Sequence, residues 1–300
     1  MKRILPIMLA TVSLLMISGC SHSQNKPPVL ESFYFGQKPP GLIPEIFAPS
    51  IVSINGRVEN AISFSPDLDE IYFESKSKNG KHAIYFSKLE GNKWTPIEKA
   101  GFTKGKKDEE VQPFVSPDGK RIYFVAFSSD VFDTGIWYVN RLEHSWSDAI
   151  KLDLPINDDK AYASNQAKNG NLYYFNISKK KNYSAAYSHG GFPEPKAFEV
   201  EPGFYHVLAS PNEDYLVGHG PNKEDEARND NNLYVSFKEQ DGTWAKPIDL
   251  GSAVNSNVNE SVPTISPDGK YLFFGRVEED GTENVYWVST KVIENLRPKP

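Results

Sequence analysis

Glu59, Glu110 and Glu260 each stand six positions ahead of a serine that opens a recurring turn motif, at Ser65, Ser116 and Ser266. Carboxylates brought together in this way could hydrolyse a glycosidic bond if two of them lie about 5–5.5 Å or 6.5–9.5 Å apart. They could also offer oxygen to a hard cation such as calcium. A third role follows from repetition: side chains at equivalent positions of a repeat can each bond the backbone amides of their own loop. Further polar groups fall at the other end of the neighbouring segments: Glu74, Asn176, His219 and Arg276, with Tyr162, Tyr205 and His206 close to the starts. Carboxylates, imidazoles, phenols and a guanidinium gathered at one place are the lining of a pocket for a sugar or peptide. His206 and His219, thirteen residues apart, could meet across adjacent strands, although a histidine in a strand is more often simply packed.

What would gather them is an internal repeat. FSPDLDEIYF begins at Phe64, VSPDGKRIYF at Val115 and ISPDGKYLFF at Ile265, with weaker copies QAKNGNLYYF from Gln166 and ASPNEDYLV from Ala209. The equivalent positions Ser65, Ser116, Ala167, Ser210 and Ser266 are spaced by 51, 51, 43 and 56 residues. That period suits one four-stranded sheet per repeat. In the second repeat the strands are VQPFVS, RIYFVAF, GIWYVN and SDAIKL, rich in β-branched and aromatic residues and separated by turn residues. Pro pre-sets φ and Gly supplies a positive φ in the Pro-Asp-Gly turn. Pro66, Asp67, Pro117, Asp118, Gly119, Pro267, Asp268 and Gly269 therefore read as turn chemistry, and Trp94, Trp146 and Trp244 as packing between repeats.

These repeats resemble the PD40 or WD40-like β-propeller family, the repeat type of the C-terminal propeller of TolB, over nearly all of residues 40–300. The resemblance implies a single all-β propeller. TPIEKA, DAIKLD, PKAFEV and KPIDLG each end a repeat as its outermost strand, whereas nothing comparable follows NVYWVST. IPEIFAP at residues 43–49 is expected to fill that place beside residues 284–289, which protects a strand edge. Five four-stranded blades follow, with six as the alternative. In such a ring the starts of the innermost strands and the ends of the second strands meet at one mouth of the central channel.

The chain begins with Lys2 and Arg3, an apolar run from Ile4 to Ile17, and Ser18-Gly19 before Cys20, the layout of an export signal. Ile17-Ser18-Gly19-Cys20 resembles the lipobox of bacterial lipoproteins, which implies cleavage before Cys20 and its acylation. Residues 1–19 are read as signal, 20–39 as acylated cysteine and tether (21–32 being its polar part), and 40–300 as propeller. The apolar run is shorter than the roughly 20 residues a transmembrane helix needs, so membrane contact is expected through lipid alone, where two or more acyl chains anchor stably. Ser21 after the cysteine implies, by that resemblance, the outer membrane on its periplasmic side in a Gram-negative cell.

Cys20 is the sole cysteine, which excludes intrachain disulfides and Cys-based metal sites. Without residues 1–19 the chain keeps 31 Lys and Arg against 39 Asp and Glu, too acidic for nucleic acid, whose phosphates need clustered cations. The basic stretches at Lys104–Lys107 and Lys179–Lys181 read as solvated turns, and the sequon Asn176-Ile177-Ser178 as chance. No HExxH or GxSxG motif is present, and neither metal nor cofactor is expected, calcium apart. The reading is a monomeric, non-enzymatic envelope lipoprotein that presents a propeller face or channel mouth to a protein, peptide or glycan. The alternative is a carbohydrate-active enzyme using Glu59, Glu110 and Glu260. Their shared repeat position weighs against it, since catalytic carboxylates sit in settings that push their pKa values apart.

Overall fold

A computed structural model describes residues 33–77, 79–129, 133–143, 145–200, 204–223 and 228–299. The expected export signal, Cys20 and the expected polar tether at 21–32 lie outside the described residues. The described chain is nearly all β, with one short helix, Lys291–Glu294, and no helix among the described residues is long and apolar enough to cross a membrane.

Each repeat forms an antiparallel meander in the manner of a β-propeller. The first runs Ile62–Phe64, Glu70–Ser77, Ala83–Glu90 and Glu98–Lys99. The second runs Glu109–Val115, Arg121–Phe127, Gly135–Asn140 and Ile150–Lys151. The third comprises Ala161–Gln166, Leu172–Asn176, Lys181–Ala185 and Pro195–Phe198, and the fourth Tyr205–Ala209, Tyr215–Pro221, Asn231–Phe237 and Ile248–Asp249. In the last, Glu260–Ile265, Tyr271–Val277 and Glu283–Ser289 pair in order, and Glu45–Ile46 lies antiparallel on the third of them, Glu45 opposite Trp287 and Ile46 opposite Tyr286. Hydrogen bonding makes the middle three repeats separate four-stranded sheets. The first and last are joined into one ten-stranded sheet by Arg57–Val58, antiparallel to Glu70–Ser77 and parallel at Glu283.

The backbone contacts of the outermost strands repeat. Ala100, Leu152 and Leu250 donate their N–H groups to the carbonyls of Ile84, Ile136 and Leu233, and Phe47 donates to Val285 in the same way. Just beyond, Asn157 and Asn255 each accept from and donate to the backbone of Ile136 and Leu233, and Ser53 does both at Val285.

The motif serine organises the first hairpin. Ser116 Oγ accepts the N–H of Arg121 and donates to Asp118 at 2.6 Å, and Ser266 repeats this with Tyr271 and Asp268. Asp118 and Asp268 thus hold turns. In the first repeat the partner of Ser65 is Asp69 at 2.6 Å, not Asp67; Asp69 stands where the second repeat has Lys120, and Leu68, with φ of 60°, takes the left-handed position of Gly119.

Side chains alternate across each second strand, and each sheet is packed on both faces. Ile122 and Phe124 join Tyr72 and Ile84 of the first repeat, while Tyr123 and Val125 join Leu172 and Tyr174 of the third. Further clusters lie between the third and fourth and between the fourth and fifth repeats. The fifth cluster packs Phe273, Val285 and Trp287 of the last repeat against Ile62, Phe64, Ile71 and Phe73 of the first, with Tyr34 and Phe47 between them. Tyr34 is fully buried and Phe35 stacks on Trp94 at 4.5 Å, so these residues of the expected tether pack on the repeats. Trp146 meets Tyr72 and Phe102 edge-on, and Trp244 packs on the cluster between the third and fourth repeats.

Candidate binding site at the channel mouth

The five innermost strands surround a common axis. Two cavities along it are lined by residues of all five: one of about 230 Å³ beside the Ser-Pro turns, and a constriction of about 40 Å³ nearer the opposite end. Four of these strands carry a bulge at that constriction. There Gln112, His206 and Val262 take φ of 51°, 49° and 44°, a costly conformation for a residue with a side chain, and one that clusters at functional sites.

Four of the sequence-derived site residues come together beside the constriction. Tyr162 and His206 have ring centres 5.3 Å apart, and His206 meets His219 edge-on at 4.8 Å. Glu74 joins the group by accepting the N–H of Gln112, which lines the constriction; burial raises the Tyr162 phenol, and the carboxylates of Glu74 and Glu109 add to that shift. Tyr205 lies at its margin, its ring 5.6 Å from Phe175, which in turn contacts His206 at 5.7 Å.

The others are placed elsewhere. Glu59 is fully buried and accepts hydrogen bonds from Ile54 N, Arg57 Nε and Ser75 Oγ. Glu110 accepts from the backbone N–H groups of Phe102 and Thr103 and the Thr103 hydroxyl. Glu260 accepts from Ser256 N and Oγ and from Arg276 Nε at 2.9 Å. Each carboxylate thus fastens the loop that enters its own repeat. Arg276 turns away from the axis because it is the direct cross-strand partner of Glu260 and lies over the Tyr286 ring at 4.5 Å. Asn176 accepts from Lys179 N in a local turn and is buried. Among the described residues no group of three His, Cys, Asp or Glu could hold a metal. The basic turns carry ion pairs, Lys104 with Asp148, Lys107 with Asp133 and Lys181 with Glu199.

Three members of the mouth escaped sequence reasoning. His82 Nδ1 lies 2.5 Å from Glu74 Oε1, and Gln112 donates its N–H to Glu74 Oε2. Glu283 accepts from Ser261 Oγ at 2.5 Å and Asn60 Nδ2 at 3.1 Å. Burial raises the Glu283 carboxyl, the two hydrogen bonds lower it, and Glu74 raises it again. Gly275 marks the spot in the sequence: a Cβ there would lie 2.3 Å from Glu283 Oε1, and a glycine inside a strand is a sign of close approach.

Burial lowers His206 to about 3 and His219 to about 4, with His219 adding to the effect on His206. Both pKa values are depressed on folding, so neutral imidazole contributes stability that is complete above the unfolded value near 6.5 and is lost as pH falls toward 4. Glu283, raised by burial, acts in the opposite sense, its cost being relieved in acid. Denaturant unfolding at pH 7.0 and 4.5 should show the parent losing on the order of 5 kcal/mol more than a His206→Asn/His219→Gln variant; equal losses would mean the imidazoles are not held neutral.

No protein-family model matches the chain, and no curated protein matches it. Among solved structures, TolB from Acinetobacter baumannii is 13% identical with a TM-score of 0.48; the match covers 76% of this chain, which spans 56% of the length of that TolB. A putative TolB from Agrobacterium tumefaciens is 16% identical with a TM-score of 0.47, over 76% of this chain and 73% of that one. A protein of unknown function from Dyadobacter fermentans is 13% identical with a TM-score of 0.49, over 84% and 83%.

Proposed function

We propose that the chain is a lipoprotein held in the cell envelope through Cys20, that its repeats are five blades of a propeller closed by residues 43–49, and that the mouth beside Glu74, Tyr162, His206 and His219 binds a glycan or peptide without turning it over. Anchoring would be periplasmic, at the outer membrane of a Gram-negative cell. The closure is supported by the packing of first and last repeats and by Phe47 bonding as the outermost strands do.

The observation that carries the binding role is unfilled hydrogen-bonding capacity at one point. His206 Nδ1, His219 Nδ1 and Gln112 Oε1 are buried without a partner among the described residues. A buried polar atom left unpaired costs about 1–3 kcal/mol, a cost that an incoming hydroxyl or amide relieves. Beside them, the half-buried Tyr162 offers ring surface for a sugar or peptide side chain. What weighs against the carbohydrate-active alternative is that Glu59, Glu110 and Glu260 are engaged by separate loops.

A thermal-shift screen of the protein from Ser21 onward tests the proposal, with peptidoglycan fragments, envelope glycans and short peptides, because a ligand of the native state raises its melting temperature. At least one should do so, and the rise should be lost in His206→Asn, a replacement that tolerates the left-handed backbone. A rise that survives His206→Asn, or no rise from any of them, contradicts the proposal.

A further inference from the structure

At the opposite end of the axis the residue after each motif serine, or after Ala167 in the third repeat, lines the 230 Å³ cavity: Pro66, Pro117, Lys168, Pro211 and Pro267. Four prolines and one lysine thus line it, beside the apolar side chains of Phe64, Phe114 and Ile265. The lysine is not needed for the turn. Gly170 N bonds Ala167 O as Gly119 N bonds Ser116 O, so the third repeat keeps the turn without proline. Lys168 N–H donates to Pro211 O, which accounts for a residue other than proline but not for a charged one. The exposed Lys168 side chain has no carboxylate partner among the described residues.

The cavity continues sideways, sharing Ser116, Pro117, Gln166 and Lys168 with a hollow of about 590 Å³ between the second and third repeats. Lys120, Arg121, Arg141 and Lys168 line that hollow against a single carboxylate, Asp118. Asp118 is already bonded to Ser116 and Lys120 N, and Arg141 is paired with Glu70. Arg121 is held by Asn140 and the Tyr123 hydroxyl and lies over the Tyr138 ring, without a carboxylate among the described residues. A local excess of cations in a chain of net charge −6 favours an anion there.

We infer that this cavity is a second binding site, specific for a small organic carboxylate whose apolar, single-ring body sits among the prolines and phenylalanines while its carboxylate faces Lys168. The volume admits one ring and little more, and the lining offers it no charge to compete with water. Selectivity comes from the rim, where an exposed or half-exposed ion pair discriminates an acid from its neutral isostere by about fivefold. The site lies at the other end of the axis from the mouth and does not rest on the role proposed for it.

Phenylacetate and phenylacetamide, the same body with and without charge, are the probes. Titrated into the protein from Ser21 onward and followed by NMR, phenylacetate should bind about fivefold tighter than the amide. Intermolecular NOEs should run from its ring to Phe114 and Ile265. Lys168→Met should bring the two probes to within about twofold without changing the melting temperature, the lysine being exposed, and His206→Asn should change neither affinity. Equal binding of acid and amide to the parent, NOEs to other residues, or a preference that survives Lys168→Met would overturn the inference.

Discussion

Deleting residues 33–49 should leave a chain that no longer unfolds cooperatively, although it keeps every Ser-Pro turn and every innermost strand. The segment removes Tyr34 and Phe47, both fully buried. Their rings pack on Trp287 at 5.1 and 5.2 Å and on Phe273 at 6.4 and 5.2 Å. Losing a buried large aromatic costs about 3–5 kcal/mol, so two of them, with the Phe47 N–H bond to Val285, consume most of a total stability of about 5–15 kcal/mol. The deletion also bares the Glu283–Ser289 edge, a template for aggregation. Trp287→Ala alone should cost about 3–5 kcal/mol and still fold. Near-UV circular dichroism and denaturant unfolding check both. If residues 33–49 were a mere extension of the tether, the deletion would shift the melting temperature by no more than a few degrees.

Replacing Glu260 by alanine should be the most damaging single change among the recurrent carboxylates. Glu260 is fully buried and holds Ser256 N, Ser256 Oγ and Arg276 Nε. Its removal leaves the Arg276 guanidinium with the Val254 carbonyl as its remaining hydrogen-bond acceptor, and breaking a buried ion pair from one side costs about 3–5 kcal/mol. Glu110→Gln should be milder, because an amide oxygen still accepts from Thr103 N. Both variants should lower stability in thermal and denaturant unfolding while the glycan or peptide affinity of the folded fraction stays within about twofold of the parent. A Glu110→Gln protein of unchanged stability that loses a measurable turnover would instead mark the residue as catalytic.

The difference between these sites and the mouth shows what a sequence repeat can and cannot reveal. Repetition at a fixed offset exposed the serine turns and the outermost strands, because each sheet needs the same hydrogen bonds. It exposed Glu59, Glu110 and Glu260 for the same reason, and their loops use them structurally. The mouth depends on residues that do not repeat. Glu74, Tyr162, His206 and His219 were found by projecting strand ends onto one face. Arg276 falls outside the mouth because strand side chains alternate: Gly275 is the residue beside Glu283, and Arg276 lies opposite Glu260. His82 stands just before a third strand and Glu283 begins one, after loops of unequal length, where no period points to them. Phe33-Tyr34-Phe35, an aromatic triplet in an otherwise polar stretch, is the sequence signal for packing on the repeats within the expected tether.

Hydrogen–deuterium exchange tests the binding role most directly, comparing the protein from Ser21 onward alone with the same protein holding whichever glycan or peptide gives the largest thermal shift. The account predicts slowed exchange at the bulged inner strands, in peptides spanning Gln112, Tyr162 and His206, with the outermost strands unchanged. Protection confined to the outermost strands, such as Ile150–Lys151 or Pro195–Phe198, would contradict it and place the partner on the rim of the sheets instead of at the axis.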